Sequence, residues 1–425
     1  MSFVFCLLCI LLLPLATAGL ALMHQGLGRS RSAAHTMVAS LCVLAVASIV
    51  FISFGFCTAG VNGGPAHTFL IAGNPWNLIA AERPFAHGIP FDGTPSALVL
   101  CFQFFTVGLA AIIPVSTGSD RWRLGPMCLS TALLAAITFP LFTHWAWCGG
   151  WLSQLGVNFG LGAGFLDAGG SSTIQVIGGL TALSLAWILG GRRGKYSDDG
   201  FAAAIPGHNI VLVLFGCLLA LIGWIALNSA GTMLFYAATP ALIPKILLNT
   251  VLSASASCLA AVFVTRMRYG KPDASLIANG WIAGLVASSA SSAFVSLGSS
   301  LFIGFVAGAG VMYLVEFLEL KLHIDDPGGA ISVHAGAGLW GVSAAGVFST
   351  LPTLSGRGQL LAQIIGIAAL LGFMLPLIHG LNLLLNVFVK QRVDSDGDRQ
   401  GMDVRELGAG AYPEFVVHGD EFLPR

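Results

Sequence analysis

The sequence predicts an all-α integral membrane protein: eleven transmembrane helices, built as a 5+5 inverted repeat with one final helix outside the symmetry. Three observations predict it. The chain is 56% hydrophobic and 9% charged over 425 residues, too apolar and too poor in charge to clothe a soluble domain. Apolar windows long enough to cross a bilayer recur along almost the whole length. One pattern, residues 167–180, returns at 326–339 in a segment that would enter the membrane from the other side.

The windows fall near residues 3–23, 36–57, 96–117, 124–146, 171–191, 208–228, 243–266, 274–292, 297–320, 330–349 and 359–388. An odd number puts the two termini on opposite sides. If the spans alternate, sixteen basic residues, from Arg29 and Arg31 to Arg405 and Arg425, fall on one side, and only Arg83, Lys245 and Arg357 on the other. That asymmetry predicts an outside N-terminus and a cytoplasmic C-terminus in the cell membrane. The first twenty residues resemble a signal peptide, with an apolar stretch that ends in Ala16-Thr17-Ala18, but they lack a basic leading region, and the segment is kept as a span. Residues 1–390 then form the transmembrane domain, with repeats at about 1–191 and 208–349, an extra helix at 359–388, and a hydrophilic tail at 391–425.

The tail is too short for a catalytic domain and reads as solvated. Its Asp394 to Asp398 run lacks the distal Glu of a calcium loop. Zero formal net charge gives no bulk attraction to nucleic acid. The nine cysteines show no CxxC or Cys/His metal spacing and read as small apolar residues. No cofactor loop, metal cluster or nucleophile with a base is present, so an enzyme is not expected.

The repeat carries the chemistry. Asp167 and Asp326 are each followed by paired glycines and, eight places on, by a polar residue, Gln175 or His334. Each pattern opens a long apolar segment, which places those residues about 9 to 12 Å in, near the middle of a bilayer. Because Asp167 follows an outside loop and Asp326 an inside one, a twofold axis in the membrane plane brings the amide and the imidazole face to face. Gly178, Gly179, Gly336 and Gly338 supply small surfaces for close helix contact. A histidine at such depth marks a functional site by default, whereas glutamine forms hydrogen bonds but does not titrate at accessible pH. The two together make half of a proton relay.

Several segments carry a resemblance. They are Gly19 to Ser30, Phe102-Gln103 with Asp120-Arg121, His144 to Leu152, the Asp167 repeat, His208-Asn209, Gly223 to Asn228, Asn279 to Leu285, Ile324 to His334, and Ala411 to Phe415. In this order and spacing the chain resembles the ammonium transporter family of Amt, MEP and Rh proteins over nearly its whole length. The resemblance implies eleven helices, an inverted repeat, a homotrimer with one pore per subunit, and passage of ammonium as NH3 with a separately relayed proton.

Position by position, the resemblance puts His334 at the second pore histidine and Gln175 at the first, where the family has another histidine. Trp147 falls on the vestibule tryptophan, where a ring face attracts a cation by about 0.5 to 2 kcal/mol. Gly231 stands where a hydroxyl residue shares that site. Thr106 and Leu227 stand at the two phenylalanine gate positions, with Phe102 close enough in sequence to substitute. Asp167 corresponds to a structural support of the vestibule, and as a plain helix cap it has an equally good reading. His144 and His208 sit at span ends, where a structural role is the expectation. His379 is expected to touch a neighbouring helix or subunit.

The expected function is therefore divergent ammonium or ammonia transport, channel-like, with membrane lipid around it and a tail on which a cytoplasmic regulatory protein would dock. A second reading is an ammonium sensor or regulatory subunit with this fold that binds without turnover. A third is a carrier for another small neutral solute, suggested by the missing gate aromatics.

Overall fold

The structure is a computed structural model that describes residues 3–350 and 358–412. Arg357, Arg425 and Pro413 to Phe415 lie outside the described residues. Eleven apolar helices follow the eleven windows: α1 (Phe3–Leu27), α2 (Ser30–Ala59), α3 (Pro95–Thr117), α4 (Leu124–Trp147), α5 (Ser171–Leu189), α6 (Ile210–Phe235), α7 (Pro240–Tyr269), α8 (Ala274–Ser288), α9 (Leu297–Leu320), α10 (Ile331–Phe348) and α11 (Gly358–Phe388). Ten of them are long and apolar enough to cross a membrane. The exception is α8, whose 15 residues reach about 22 Å at 1.5 Å per residue.

Local chemistry sets the ends. Side chains of Asn209, Asp273 and Ser296 cap α6, α8 and α9 by accepting the backbone N–H of Leu212, Leu276 and Ser299. The shortness of α8 has a cause in its sequence, because the hydroxyls of Ser288 and Ser289 both bond Leu285 O where the helix would continue. There the chain turns, and its carbonyls at Ser289 and Ala290 accept N–H groups of Gly169 and Ala168. The end of α8 thus supports the loop that precedes α5.

Equivalent helices of the two halves cross in opposite directions. Between α1 and α6, Gly19 meets Gly216 and Ala220, Gly26 meets Asn209, and Gly223 meets Ala16, so residue numbers rise on one helix as they fall on the other. The same holds between α5 and α10, where Ser171 abuts Gly338 and Gln175 touches His334. Antiparallel pairing of first with sixth and fifth with tenth is what a twofold axis in the membrane plane requires. The seams consist of small residues, because helices in lipid associate through close packing. This packing also makes α1 part of the bundle.

Two features lie outside the windows. A hairpin, β1 (Ala66–Ile71) with β2 (Asn74–Ala80), projects between α2 and α3. Its two-residue turn, Ala72 and Gly73, has φ of 52° and 82°, the sign a tight antiparallel hairpin needs. We call its side of the bundle the hairpin face and the opposite side the tail face.

The tail departs from the expectation of a solvated segment. Val393 N–H donates to Arg121 O at 2.9 Å, and Asp403 accepts the N–H groups of Ala34 and His35 at the start of α2. Glu406 accepts the N–H of Leu124 at the start of α4. Two tail carboxylates thus cap two helix N-termini, where the backbone dipole favours an anion. That is a docked tail.

Candidate functional site

Both copies of the repeat begin with the same construction. In the first, Asp167 Oδ2 accepts the backbone N–H groups and hydroxyls of Ser172 and Thr173, at 2.5 to 3.1 Å. In the second, Asp326 Oδ2 accepts Ile331 N–H at 2.7 Å, and its Oδ1 accepts the Thr117 hydroxyl at 2.6 Å. Each aspartate therefore satisfies the orphan donors of a helix start, and Asp167 is a cap whose own carbonyl also holds Trp147. The first turn that follows is wide in both copies: Ser171–Val176 and Ile331–Gly336 are π-helical turns. Such turns push a side chain out of the regular ladder and are frequent at functional sites. Gln175 and His334 sit in them.

Those two side chains meet. Gln175 Oε1 lies 2.7 Å from His334 Nδ1, and both residues are buried. With the amide oxygen toward the ring, Nδ1 carries the proton and donates it to the bond. The approach depends on Gly179, since a Cβ there would lie 2.4 Å from the Ala335 backbone nitrogen, and on Gly338, where one would lie 2.6 Å from Ser171 O. Gly178 and Gly336 instead face Ile113 of α3 and Leu314 of α9. The Gln175 amide nitrogen is buried without a hydrogen-bond partner among the described residues. Leaving such a donor unfilled costs about 1 to 3 kcal/mol, so the site is poised for an acceptor. His24 on α1, also buried, lies within electrostatic reach of His334.

On the hairpin side, a cavity of about 400 Å³ is lined by Asn62, Asn77, Trp147, Gln154, Phe235 and Tyr236 among others. Trp147 forms part of its wall, yet the residue is only 3% exposed. Phe235 stacks on it at 4.7 Å between centroids and 7° between planes, and Phe102 meets both rings edge-on at 5.5 and 5.4 Å. The Trp147 Nε1–H donates to Asp167 O at 2.6 Å, which fixes the ring under the first repeat. Gly231 has no room for a hydroxyl residue, because a Cβ would lie 2.1 Å from Ala168 O. The aromatic cluster therefore consists of Phe102, Trp147 and Phe235.

Thr106 and Leu227 are buried as well. The Thr106 hydroxyl is turned back on its own helix, bonding Phe102 O at 2.9 Å and Gln103 O at 3.2 Å. Phe102 thus provides the aromatic ring near those positions. Phe235 and His24 escaped the sequence reading, although a signal existed: Phe235 is one helical turn beyond Gly231, and His24 lies inside the Gly19 to Ser30 segment. The other histidines that the sequence singled out have local partners, His144 at Ala59 O, His208 at Gly28 O and Tyr412, and His379 at Ser184 on the neighbouring α5.

The tail face is held by buried charge. Asp325 accepts both Nε and Nη2 of Arg192 at 3.0 Å, and Arg121 Nη1 lies 3.6 Å away. Asp120 takes the other arm of Arg192 at 3.3 Å. Burial pushes the Asp325 carboxyl up, but Arg121 and Arg192 more than offset this and hold it below the usual aspartate range. Burial pulls the Arg121 guanidinium down to about 10. The network ties the loops after α3, α5 and α9 together beneath the repeat.

The profile of the Ammonium Transporter Family matches residues 4–412. The ammonium transporter Amt2 of Archaeoglobus fulgidus is 33% identical, across 98% of this chain and 89% of that protein. The ammonium transporter of Bacillus subtilis is 29% identical across 97% and 98%. Among solved structures, a sensor Amt protein is similar with a TM-score of 0.86 and 26% identity, covering 95% of this chain and 97% of its own. Mep2 of Saccharomyces cerevisiae shares the fold, with a TM-score of 0.76 and 22% identity across 92% and 90%.

Proposed function

Because the chain belongs to the ammonium transporter family, we propose that it carries ammonium across a membrane as ammonia, through a passage that crosses between α5 and α10. The observation that carries this reading is the buried contact of 2.7 Å between Gln175 Oε1 and His334 Nδ1. Its chemistry selects the neutral form. The free Gln175 N–H groups can donate to the lone pair of NH3, whereas NH4+ has no lone pair to offer. An ion alone at that depth is also heavily penalised.

The hairpin-side cavity serves as the vestibule, with Trp147 as the aromatic surface that attracts the cation. Phe235 covers one face of that surface, so Phe102 and Phe235 act as the gate that positions 106 and 227 cannot form. Beyond the gate, His334 and then His24 are the titratable side chains on the way to the tail face. Gln175 holds the His334 ring but cannot take up a proton, so a proton has no imidazole at 175 to pass through. Small or absent net current is the consequence.

The positive-inside distribution supports placing the hairpin face outside and the tail in the cytoplasm of the cell. The family resemblance supports a homotrimer with one passage per subunit. One neighbour, the sensor Amt protein, speaks for a sensing role, against curated relatives that are named transporters.

Purified protein in liposomes, assayed for methylammonium uptake and for current in the same preparation, tests the proposal. Saturable uptake lost in His334→Ala, with current far below that of a two-histidine relative, is expected. Full-sized currents, lost in His334→Ala yet indifferent to changes at Gln175, would sink the account of the constriction. Ligand-dependent movement of the tail without any uptake would decide for the sensor.

A further inference from the structure

Two adjoining cavities open on the tail face, of about 510 and 460 Å³. The first is lined by Arg123, Lys390, Arg405 and Glu406, the second by Arg193, Asp398 and Arg399, and both by Arg392 and Asp394. Together they hold six cations against three carboxylates. Every carboxylate is already engaged. Asp394 binds Arg405 and caps Gly397 N–H, Asp398 accepts from Arg392 at 2.9 Å, and Glu406 caps Leu124 beside Arg123.

The side chains of Arg193, Lys390 and Arg399 have no ion-pair or hydrogen-bond partner among the described residues. Arg193 and Arg399 in one cavity and Lys390 in the adjoining one are exposed, and their like charges add up to a positive potential there that draws an anion. Their height is also informative. Arg123 directly precedes α4, Arg193 follows the end of α5 by four residues, and Lys390 follows the end of α11 by two. They stand where three spans leave the apolar layer, at the level of phospholipid headgroups, where basic side chains attract anionic lipid.

We propose that this double cavity is a binding site for a phosphate ester, held by Arg193 and Arg399 with Lys390 adding charge from the adjoining cavity. Arginine forks match the oxygens of a phosphate and lysine adds a point charge. Lys390, Arg392, Arg399 and Arg405 belong to the tail segment, whereas Arg123 and Arg193 belong to the helical body. A bound phosphate therefore bridges the two and strengthens the docking of the tail. The chemistry fits the headgroup of an anionic phospholipid and equally a soluble phosphate.

The test uses the whole protein in nanodiscs of phosphatidylcholine with graded phosphatidylglycerol, and separately in detergent with inorganic pyrophosphate, reading bound ligand by native mass spectrometry. The variant Arg193→Ala/Lys390→Ala/Arg399→Ala removes the unpaired cations and breaks no side-chain hydrogen bond or ion pair among the described residues. Arg266→Ala/Lys271→Ala/Lys321→Ala removes three exposed cations elsewhere on the same face. The expected result is preferential retention of phosphatidylglycerol that weakens with salt and falls about fivefold for each cation lost from the cavity, while the control variant matches the parent. Retention of pyrophosphate without lipid preference, lost in the same variant, supports the site with a soluble source. Equal losses in both variants, or no preference by the parent for either probe, overturn the proposal.

Discussion

The Gln175 amide oxygen and the His334 imidazole Nδ1 share a hydrogen bond of 2.7 Å where α5 crosses α10, and the amide nitrogen of the same glutamine is left unpartnered. One side chain thus fixes the histidine tautomer and also presents a free donor. Replacing it separates the two effects. In Gln175→Leu the His334 N–H loses its acceptor in a dry site, at a cost of about 1 to 3 kcal/mol, and methylammonium uptake is expected to fall by about tenfold or more. In Gln175→His a second titratable ring is supplied, and current is expected to rise relative to uptake. Uptake and current measured on one set of liposomes check both. An unchanged ratio in Gln175→His would mean that protons do not pass through this position.

The proposed gate consists of three rings. Phe235 stacks on Trp147 at 4.7 Å, and Phe102 closes the edge. Phe235→Ala uncovers a face of the indole, so it is expected to raise apparent affinity for methylammonium while weakening exclusion of larger alkylamines. Trp147→Leu removes the aromatic face and is expected to raise the half-saturating concentration by about 2- to 30-fold, the range of a cation–π contact of about 0.5 to 2 kcal/mol. Concentration series on the two variants check this. Matching behaviour of Thr106→Ala and Phe235→Ala would move the gate back to position 106.

Close approach at the crossing makes a prediction about glycine. A Cβ at Gly179 would lie 2.4 Å from backbone of α10, whereas one at Gly310 in α9 meets nothing within 4 Å. Gly179→Ala must push the helices apart, and it is expected to destabilise by about 1 to 3 kcal/mol and to abolish uptake. Gly310→Ala fills open space on a helix and is expected to be neutral or to stabilise by up to about 1 kcal/mol. Thermal unfolding in detergent compares them, and a Gly179→Ala protein as stable and active as its parent would show that the crossing has slack.

Much of this was legible in the sequence because the bilayer leaves few choices. Apolar windows must be helices, so the eleven segments and the antiparallel meeting of Gln175 with His334 follow from periodicity and repeat. Three things were not legible. The early end of α8 is fixed by Ser171, whose hydroxyl donates to Val286 O and accepts Ala290 N–H only once the Asp167 loop is beside it. Phe235 lies eight residues beyond Leu227 on the same helix, and nothing local says that its ring turns back onto Trp147. The tail reads as solvated by composition, and its docking arises from Asp403 and Glu406 finding helix ends that are more than 280 positions away in the chain. All three are contacts between segments that sequence proximity does not connect.

The last prediction concerns acid. Asp325 sits between Arg192 and Arg121, and the balance of charge over burial holds its carboxyl below the ordinary range. A carboxylate with a depressed folded pKa contributes stability at pH values above its unfolded pKa, and that contribution is lost as pH falls through the folded one. The parent protein is therefore expected to keep its unfolding temperature down to the usual aspartate range and then to lose it steeply on further acidification. Asp325→Asn leaves two buried guanidinium groups with Asp120 as their remaining carboxylate, which is expected to cost about 3 kcal/mol at neutral pH, the lower end for breaking a buried pair. The gap between parent and variant should then narrow as acid protonates Asp325 in the parent. Unfolding temperatures measured for both across the acid range test this. A gap that stays constant would show that Asp325 contributes through packing alone, and that the tail-face network is not held by its charge.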